Sequence, residues 1–230
     1  MGKADLRIDW ATHESAKYAC VNWHYSGCLP SGKLVKVGAW ENGKFIGVVL
    51  FGRGATPRLG SPYNLGQDEC VELVRIALDN HETEVSRIAA IAMKFLKQSN
   101  PNLRLIVSFA DTSQGHHGGI YQAGNWVYNG QGSAARFWMV FGKLTHPRTV
   151  IARGGSNTLL GAKNIDPNAK AVVVSGKHRY LMPLDTDMRN RILQLSKPYP
   201  KRVKQAMTDD QSAQRQCSTD PHAPKDCGKV

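Results

Sequence analysis

A mixed α/β (α+β) fold is what this 230-residue chain predicts, with a βαβ crossover at its centre, flanking helices and a basic C-terminal extension. Three observations carry the prediction. Asn42-Gly43 joins two alternating apolar runs, which is the strongest short hairpin signal in the chain. A strand-like run, an amphipathic stretch and a second strand-like run follow one another between Cys70 and Ala110, the pattern of a crossover between parallel strands. Positive charge, finally, is concentrated beyond residue 140.

Taken in order, residues 12–25 predict a helix, because Ala16, Ala19, Cys20 and Trp23 recur at helical spacing. Gly27 to Gly32, with Pro30, ends it. Leu34 to Glu41 and Lys44 to Phe51 form the hairpin, and the Gly- and Pro-rich segment 52–66 is an irregular loop. Val71 and Leu73, then Ile76 and Leu78 after a bulge, make Cys70 to Leu78 a strand that carries Glu72 and Arg75. The helix from about Glu84 to Gln98 has one apolar stripe, Val85, Ile88, Ala92, Phe95 and Leu96, with Thr83 as its expected cap. Asn100-Pro101 delivers the chain into Leu105 to Ala110, a run apolar enough to be buried on both faces. A short helix over 120–123, strands over 125–128 and 136–141, two apolar runs at 149–152 and 171–174, and a helix over 186–195 complete the reading. Residues 1–142 are the expected catalytic core and 143–205 an extension packed on it. Residues 206–230 are too poor in apolar side chains to order themselves and are expected to be disordered.

Composition narrows the class. The longest apolar runs cannot span a bilayer, and the start, MGKADLRIDW, lacks the apolar core of a signal peptide, so a cytoplasmic protein is expected. Five cysteines, odd in number and without a C-x-x-C pair, imply no disulfide framework. Residues 1–140 carry 14 Lys and Arg against 11 acids, residues 141–205 carry 13 against 3, and residues 206–230 carry 3 against 4. A local excess of this kind is the electrostatic footprint of a phosphate backbone. Lys177, His178, Arg179 and Tyr180, where bases alternate with aromatic and hydrogen-bonding groups, are the expected DNA contacts.

The chemistry gathers in Leu105 to Tyr128, LIVSFADTSQGHHGGIYQAGNWVY. Asp111 stands at the end of a buried strand, where α/β sheets hold their ligands, and is placed for general-base work or for orienting an amine. Tyr121, on the short helix, has the acidity to protonate a leaving group. Arg75, on the neighbouring parallel strand, suits a phosphate or carboxylate. Each has a plainer reading: a cap for Asp111, a half-buried core phenol for Tyr121, an ion pair with Glu72 or Asp111 for Arg75.

The order of elements, with Tyr121-Gln-Ala-Gly124-Asn-Trp126 leading into a strand, resembles the GNAT acyltransferase superfamily. That resemblance implies a mixed, mostly antiparallel sheet. More narrowly, HYSGCLPSGKLVKVGAWENGKFIGVVLFG, VELVRIAL, VSR, SFADTSQGHHGGIYQAGNWVY and SGKHRY together resemble the Mom family of phage DNA-modification proteins. The family implies a transferase that adds a carbamoylmethyl group to the exocyclic amine of adenine in double-stranded DNA and so shields phage DNA from restriction. It implies catalytic roles for Arg75, Asp111 and Tyr121, a base pocket with His24, Tyr25 and Ser108, and cofactor contacts at Val85, Ser86 and Arg87. Base flipping follows from the target amine, with Trp23, Tyr25 or Trp126 as stacking candidates.

The donor is a separate question. GNAT proteins hold acyl-CoA by a glycine-rich turn before the helix, whereas this chain has His81-Glu-Thr-Glu-Val-Ser86-Arg87, where no glycine occurs and Glu82 and Glu84 oppose a pyrophosphate. Acetyl-CoA and an activated glycine, such as glycyl-tRNA, are therefore both carried forward, the second because a glycyl group has the atoms of a carbamoylmethyl group in another order. Iron or zinc is a third expectation, resting on His116-His117 and on Cys20, His24 and Cys28, although neither spacing is a closed metal signature. Two rival functions remain: an acyltransferase acting on a small amine or protein, and a DNA-binding protein without activity.

Overall fold

Asn42 and Gly43 both take positive φ, 50° and 79°, and close a two-residue hairpin between the second and third strands, as expected. The computed structural model describes residues 4–54 and 56–201. Its elements are β1 (Leu6–Trp10), α1 (His13–Trp23), β2 (Leu34–Glu41), β3 (Lys44–Gly52), β4 (Cys70–Leu78), α2 (Val85–Ser99), β5 (Leu105–Ala110), α3 (Gly119–Ala123), β6 (Val127–Gln131), β7 (Ala135–Val140), β8 (Lys143–Thr145), α4 (Pro147–Ala152), α5 (Leu159–Lys163), β9 (Lys170–Val174), β10 (His178–Pro183) and α6 (Thr186–Leu193). Seven strands form the main sheet in the order β1-β2-β3-β4-β5-β10-β6, and β8-β7-β9 form a second. Among the described residues every ladder is antiparallel except β4 with β5, the strands joined by the expected crossover.

Strand alternation divides the core. Val49 and Phe51 pack with Ile88, Ala92 and Leu96 of α2 on one face. Val48 and Leu50, one residue out of phase, pack with Ala16, Ala19 and Cys20 of α1 on the other. Farther along that second face, Cys70, Leu105 and Val107 meet Met188 and Ile192 of α6. Arg104 fixes α6 by bonding Asp185 at 2.9 and 3.2 Å, while the same Asp185 caps the helix at Met188. The second sheet has its own core, Trp138 and Val140 against Val150 of α4 and Ala162 of α5.

Several expectations are corrected. Within the expected extension, residues 143–205, β10 lies inside the main sheet between β5 and β6, so that strand belongs to the core instead of packing on it. A strand inserted antiparallel needs no sequence neighbour, which is why His178–Pro183 gives no local sign of it. β1 is likewise unassigned by the sequence, and the β6 expected over 125–128 runs from Val127 to Gln131. Thr83 does not cap α2. Glu84 takes that position without a side-chain bond. The expected bulge in β4 is present, where Leu73 and Arg75 oppose adjacent Phe51 and Leu50. The expected tail 206–230 lies outside the described residues. Cys20, Cys28 and Cys70 are free thiols, and among the described residues no helix is long and apolar enough to cross a membrane.

Tyr180 of β10 is the keystone behind α3. It is fully buried, donates to the His117 carbonyl at 2.5 Å, accepts from Gln122 at 3.2 Å and lies against the rings of Tyr121 and Tyr128. Gly118 sits at φ 84° where a Cβ would come within 2.3 Å of that ring. Gly118→Ala is therefore strained twice, by backbone and by clash, and is expected to cost roughly 2 to 4 kcal/mol of stability, read from urea unfolding. Gly142→Ala, with positive φ and nothing within 4 Å of its Cβ, is expected to cost less, about 1 kcal/mol.

Candidate active site

The parallel pairing of β4 with β5 ends early. Its last register pair is Leu73 with Ser108; beyond it Arg75 and Ile76 pair only with β3, while Phe109 and Ala110 pair with β10. Where the two strands part, the sheet's backbone hydrogen bonding has a gap, the cleft of this site, and Glu72 and Tyr25 lie within electrostatic reach of Tyr121 as Arg75 and His116 do of His24.

On the α3 side, Ser108 is 1 % exposed and its Oγ lies 2.7 Å from the Leu73 carbonyl and 2.8 Å from the Tyr121 hydroxyl. Ser108 has one proton. When it donates to Leu73, which can only accept, Tyr121 supplies the proton of the second bond; when Tyr121 is ionised, Ser108 can turn and donate to the phenolate. Burial pushes the Tyr121 pKa up, the Ser108 bond opposes that rise, and Glu72 and Tyr25 add to it. Tyr121 thus enters as a phenol, a proton donor.

On the α1 side stands Arg75. One guanidinium nitrogen donates to the Cys28 carbonyl, Nε is buried with no hydrogen-bond partner, and none of the ion pairs among the described residues involves it. The expected pairing with Glu72 or Asp111 is not formed. Around Arg75 lie the Cys20 thiol and the His24 ring. Burial raises the Cys20 pKa, only partly offset by Arg75, so the thiol stays neutral. Burial, then Arg75 and His116, drive His24 down to about 4. Its Nδ1 accepts the Ser26 backbone N–H at 3.2 Å, so the neutral ring carries its proton on Nε2.

At the mouth, Tyr25 is 62 % exposed and lies between His24 (ring centroids 4.2 Å) and His116 (5.3 Å). This contact joins the loop after α1 to the loop after β5 across the cleft. It also gives His116 a role that the sequence leaves open.

Asp111 is where the sequence put it, at the end of β5, but it is heavily engaged. It caps the turn at Ser113, accepting from the backbone N–H at 3.0 Å and the hydroxyl at 2.6 Å, and pairs with Lys177 at 2.9 Å. Burial favours its neutral form, yet the Ser113 and Lys177 bonds prevail and hold its carboxyl below the usual range. A carboxylate so stabilised is a weak base. Glu72, which the sequence offered only as an Arg75 partner, is the stronger one. It is half-buried beside the cleft, and burial raises its pKa against the pull of Lys177.

Other expected residues do not converge here. Trp23 packs against Phe45 and Tyr18, and Trp126 is core. In the Lys177–Tyr180 stretch the interleaving proves to be strand alternation. His178 turns to Tyr128, 2.8 Å from its hydroxyl, Arg179 lies over Phe109, and Tyr180 is buried, so of the four expected DNA contacts only Lys177 is exposed. His117 and His116 point to different partners, and no group of three His, Cys, Asp or Glu among the described residues is placed to hold a metal ion. The Cys20, His24, Cys28 trio surrounds Arg75, whose fixed positive charge would repel a cation. For acyl-CoA, the turn before α2 offers no cradle: its Glu82 and Thr83 amides already donate to the buried Glu41 carboxylate at 2.8 and 2.7 Å. Val85, Ser86 and Arg87 begin α2, and a pyrophosphate there would meet Glu41, Glu82 and Glu84.

Comparison with known proteins adds the following. A sequence profile described as the Mom protein family matches residues 5–201. A relative in Escherichia phage Mu, methylcarbamoylase mom, is 28% identical over 210 residues, which is 87% of this chain and 86% of that one. Among solved structures, a candidate acetyltransferase from Acinetobacter baylyi ADP1 overlays at a TM-score of 0.42 with 11% identity, covering 88% of this chain and 99% of that one. The AHL synthase LasI overlays at 0.43 with 8% identity, covering 86% and 100%. Overlap at this level says nothing about substrate or cofactor.

The His24 pKa carries a stability prediction. Because the folded value, about 4, is below the ordinary 6.5, neutral His24 contributes stability in full above pH 6.5, and that stability is lost as pH falls towards 4. His24→Asn keeps an acceptor for Ser26 but cannot titrate. Melting temperature between pH 6.5 and 4 should fall more steeply for the wild type than for His24→Asn, and Glu72, which titrates with the opposite sign, is common to both.

Proposed function

The chain belongs to the Mom protein family, and from that premise we propose that it modifies adenine in double-stranded DNA, converting the exocyclic amine to a carbamoylmethyl-type derivative that protects phage DNA from restriction in the host cytoplasm. The observation that carries the reading is the cleft at the β4–β5 parting. There a phenol hydrogen-bonded to a relay serine lies within electrostatic reach of a carboxylate of raised pKa, and an arginine with no carboxylate partner among the described residues lies beside His24. Together these groups suit attack of an amine on an activated acyl group.

In this reading the adenine, flipped from the duplex, stacks on Tyr25 and His116. Arg75, whose guanidinium has donors to spare, holds the oxygen that gains charge during attack. His24 adds the Nε2–H as a second, uncharged donor. Glu72 accepts the amine proton, and Tyr121 donates its own to the departing oxygen while Ser108 turns to steady the phenolate. Asp111 orients: it fixes Lys177 and the loop that carries His116. A burial-raised carboxylate and a phenol divide the base and acid roles, as paired groups of shifted pKa do.

For the donor we favour an activated glycine ester, such as one borne on a tRNA, over acyl-CoA. Amine attack on the glycyl carbonyl would release the nucleic-acid hydroxyl with the Tyr121 proton. The resulting N-glycyl adduct is an isomer of the carbamoylmethyl product and reaches it by rearrangement, with no atom gained or lost. Glu41 on the amides before α2 supports this preference, since it denies a pyrophosphate its usual seat.

Nucleosides from DNA exposed to each variant, analysed by mass spectrometry, test the assignment. Tyr121→Phe and Glu72→Gln are each expected to lower the modified adenine by roughly 10²-fold or more, and Arg75→Lys to lower it similarly, because an ammonium lacks the planar fork. Asp111→Asn should cost less than Glu72→Gln. Wild-type yield from both Tyr121→Phe and Glu72→Gln would overturn the site. Isotopically labelled glycine should appear in the product; label arriving from acetyl-CoA alone would end the glycine donor.

A further inference from the structure

Phe141 stands at the tip of the β7–β8 hairpin, in the first of two turn positions. It has φ 48°, Gly142 follows at 72°, and Val140 pairs directly with Lys143. This is a two-residue turn of the type that favours Asn or Gly at its first position. A phenylalanine at positive φ is unfavourable there, and the backbone geometry leaves the ring 66 % exposed rather than packed. The turn is not held by the ring. It is held by Asp166, a buried carboxylate that accepts the Phe141 N–H at 2.7 Å and the Asn168 N–H at 2.9 Å. Beneath it the packed Trp138, Val140 and Val150 give the hairpin a firm base.

The charge around this tip is one-sided. From Ala135 to Val174 the chain carries six bases, Arg136, Lys143, Arg148, Arg153, Lys163 and Lys170, all of them exposed, and a single acid. That acid is Asp166, hidden from solvent and spent on two backbone amides. No acidic side chain of this segment therefore faces outward to oppose a polyanion.

We propose that the β7–β8 hairpin is an arm that grips double-stranded DNA outside the cleft, with the Phe141 ring inserted at a base step of the flanking duplex. The proposal rests on the DNA-modification reading for the identity of its partner and adds the part of the protein that holds the duplex. The root of the arm adjoins the cleft. Ala135 pairs with Val174 at the start of β7, and Thr112, next to Asp111, bonds the Gly176 carbonyl at 3.3 Å. Six residues of strand then separate Phe141 from that root by about 20 Å at roughly 3.3 Å per residue. On B-DNA that reach is about half a helical turn at roughly 3.4 Å per base pair. An aromatic wedge at that distance would kink the duplex and ease extrusion of the target base, while the exposed lysines and arginines neutralise phosphates on either side.

The test uses full-length protein and a duplex of about 25 base pairs containing adenine, with affinity measured by fluorescence anisotropy across a range of salt. Phe141→Ala is expected to weaken binding about 10-fold with an unchanged salt slope, because no charge is lost. Lys143→Ala should weaken it and flatten the slope by about one. Phe141→Asn, a residue at ease in this turn, should be folded at least as stably as wild type yet bind as poorly as Phe141→Ala, which separates wedge from scaffold. Base-step insertion is read from 2-aminopurine placed four to seven pairs from the target: its fluorescence should rise with wild type and not with Phe141→Ala. Duplex affinity of Phe141→Ala equal to wild type would overturn the arm, and so would loss of self-association on the same substitution with DNA affinity intact, which would make the tip a contact between copies. Binding that depends on Phe141 without any modified nucleoside would keep the arm and end the enzymatic reading; modification and affinity both indifferent to Phe141 would do the reverse.

Discussion

The end of the β4–β5 pairing at Leu73 and Ser108 is the constraint on which the rest of the site depends. Parallel strands joined all along their length would seal the sheet and keep Arg75 and Tyr121 on opposite faces. Beyond that point β4 keeps its bonds to β3 and β5 its bonds to β10, so a gap opens between β4 and β5. β10 is essential here. Without an antiparallel partner inserted from far along the chain, the free edge of β5 would expose unpaired backbone groups.

That inserted strand also explains how the site keeps its polar groups satisfied. Tyr180 anchors the His117 carbonyl and Gln122, so the turn into α3 is held by a buried phenol rather than by a charged pair. Tyr121 then lies on a fixed helix with its hydroxyl on Ser108. Only Arg75 Nε and Trp138 Nε1 are buried polar side-chain atoms without partners among the described residues. Such groups are costly in a folded interior, and in Arg75 the vacancy coincides with a cation that has no carboxylate. Polar economy elsewhere makes this exception informative.

What the sequence could say followed from local chemistry. The Asn42-Gly43 hairpin, the β4 bulge, the α2 stripe and the β4–α2–β5 crossover were all legible because each is written in adjacent residues. Arg75 and Tyr121 were legible as candidates because each stands in a recognisable element, a strand of the crossover and the short helix after it. The insertion of β10 was not legible, because its partners lie 47 to 78 residues away and its own pattern, HRYLMP, mixes charges with apolar side chains. The same omission misdirected the DNA reading. Alternating basic and aromatic residues look like a nucleic-acid contact, whereas in a two-faced strand they send His178 and Arg179 to opposite sides of a core. Glu72 was underrated since a lone acid in a strand has no signal; its raised pKa arises only from the burial that folding imposes.

Lys177 ties these elements together. It is the one exposed residue of that stretch, it bonds Asp111, and it lowers the pKa of Glu72. Its charge therefore acts in two directions: it keeps Asp111 ionised and in place on the loop of His116, and it restrains the basicity of the carboxylate best suited to take a proton. An exposed lysine is screened by solvent and can be drawn to a stronger anion, such as a phosphate. As its charge is drawn away, burial alone governs Glu72, and that carboxylate becomes the better base. The position of Lys177, immediately before β10 and between two acids of opposite pKa shift, couples its own charge to the proton affinity of both.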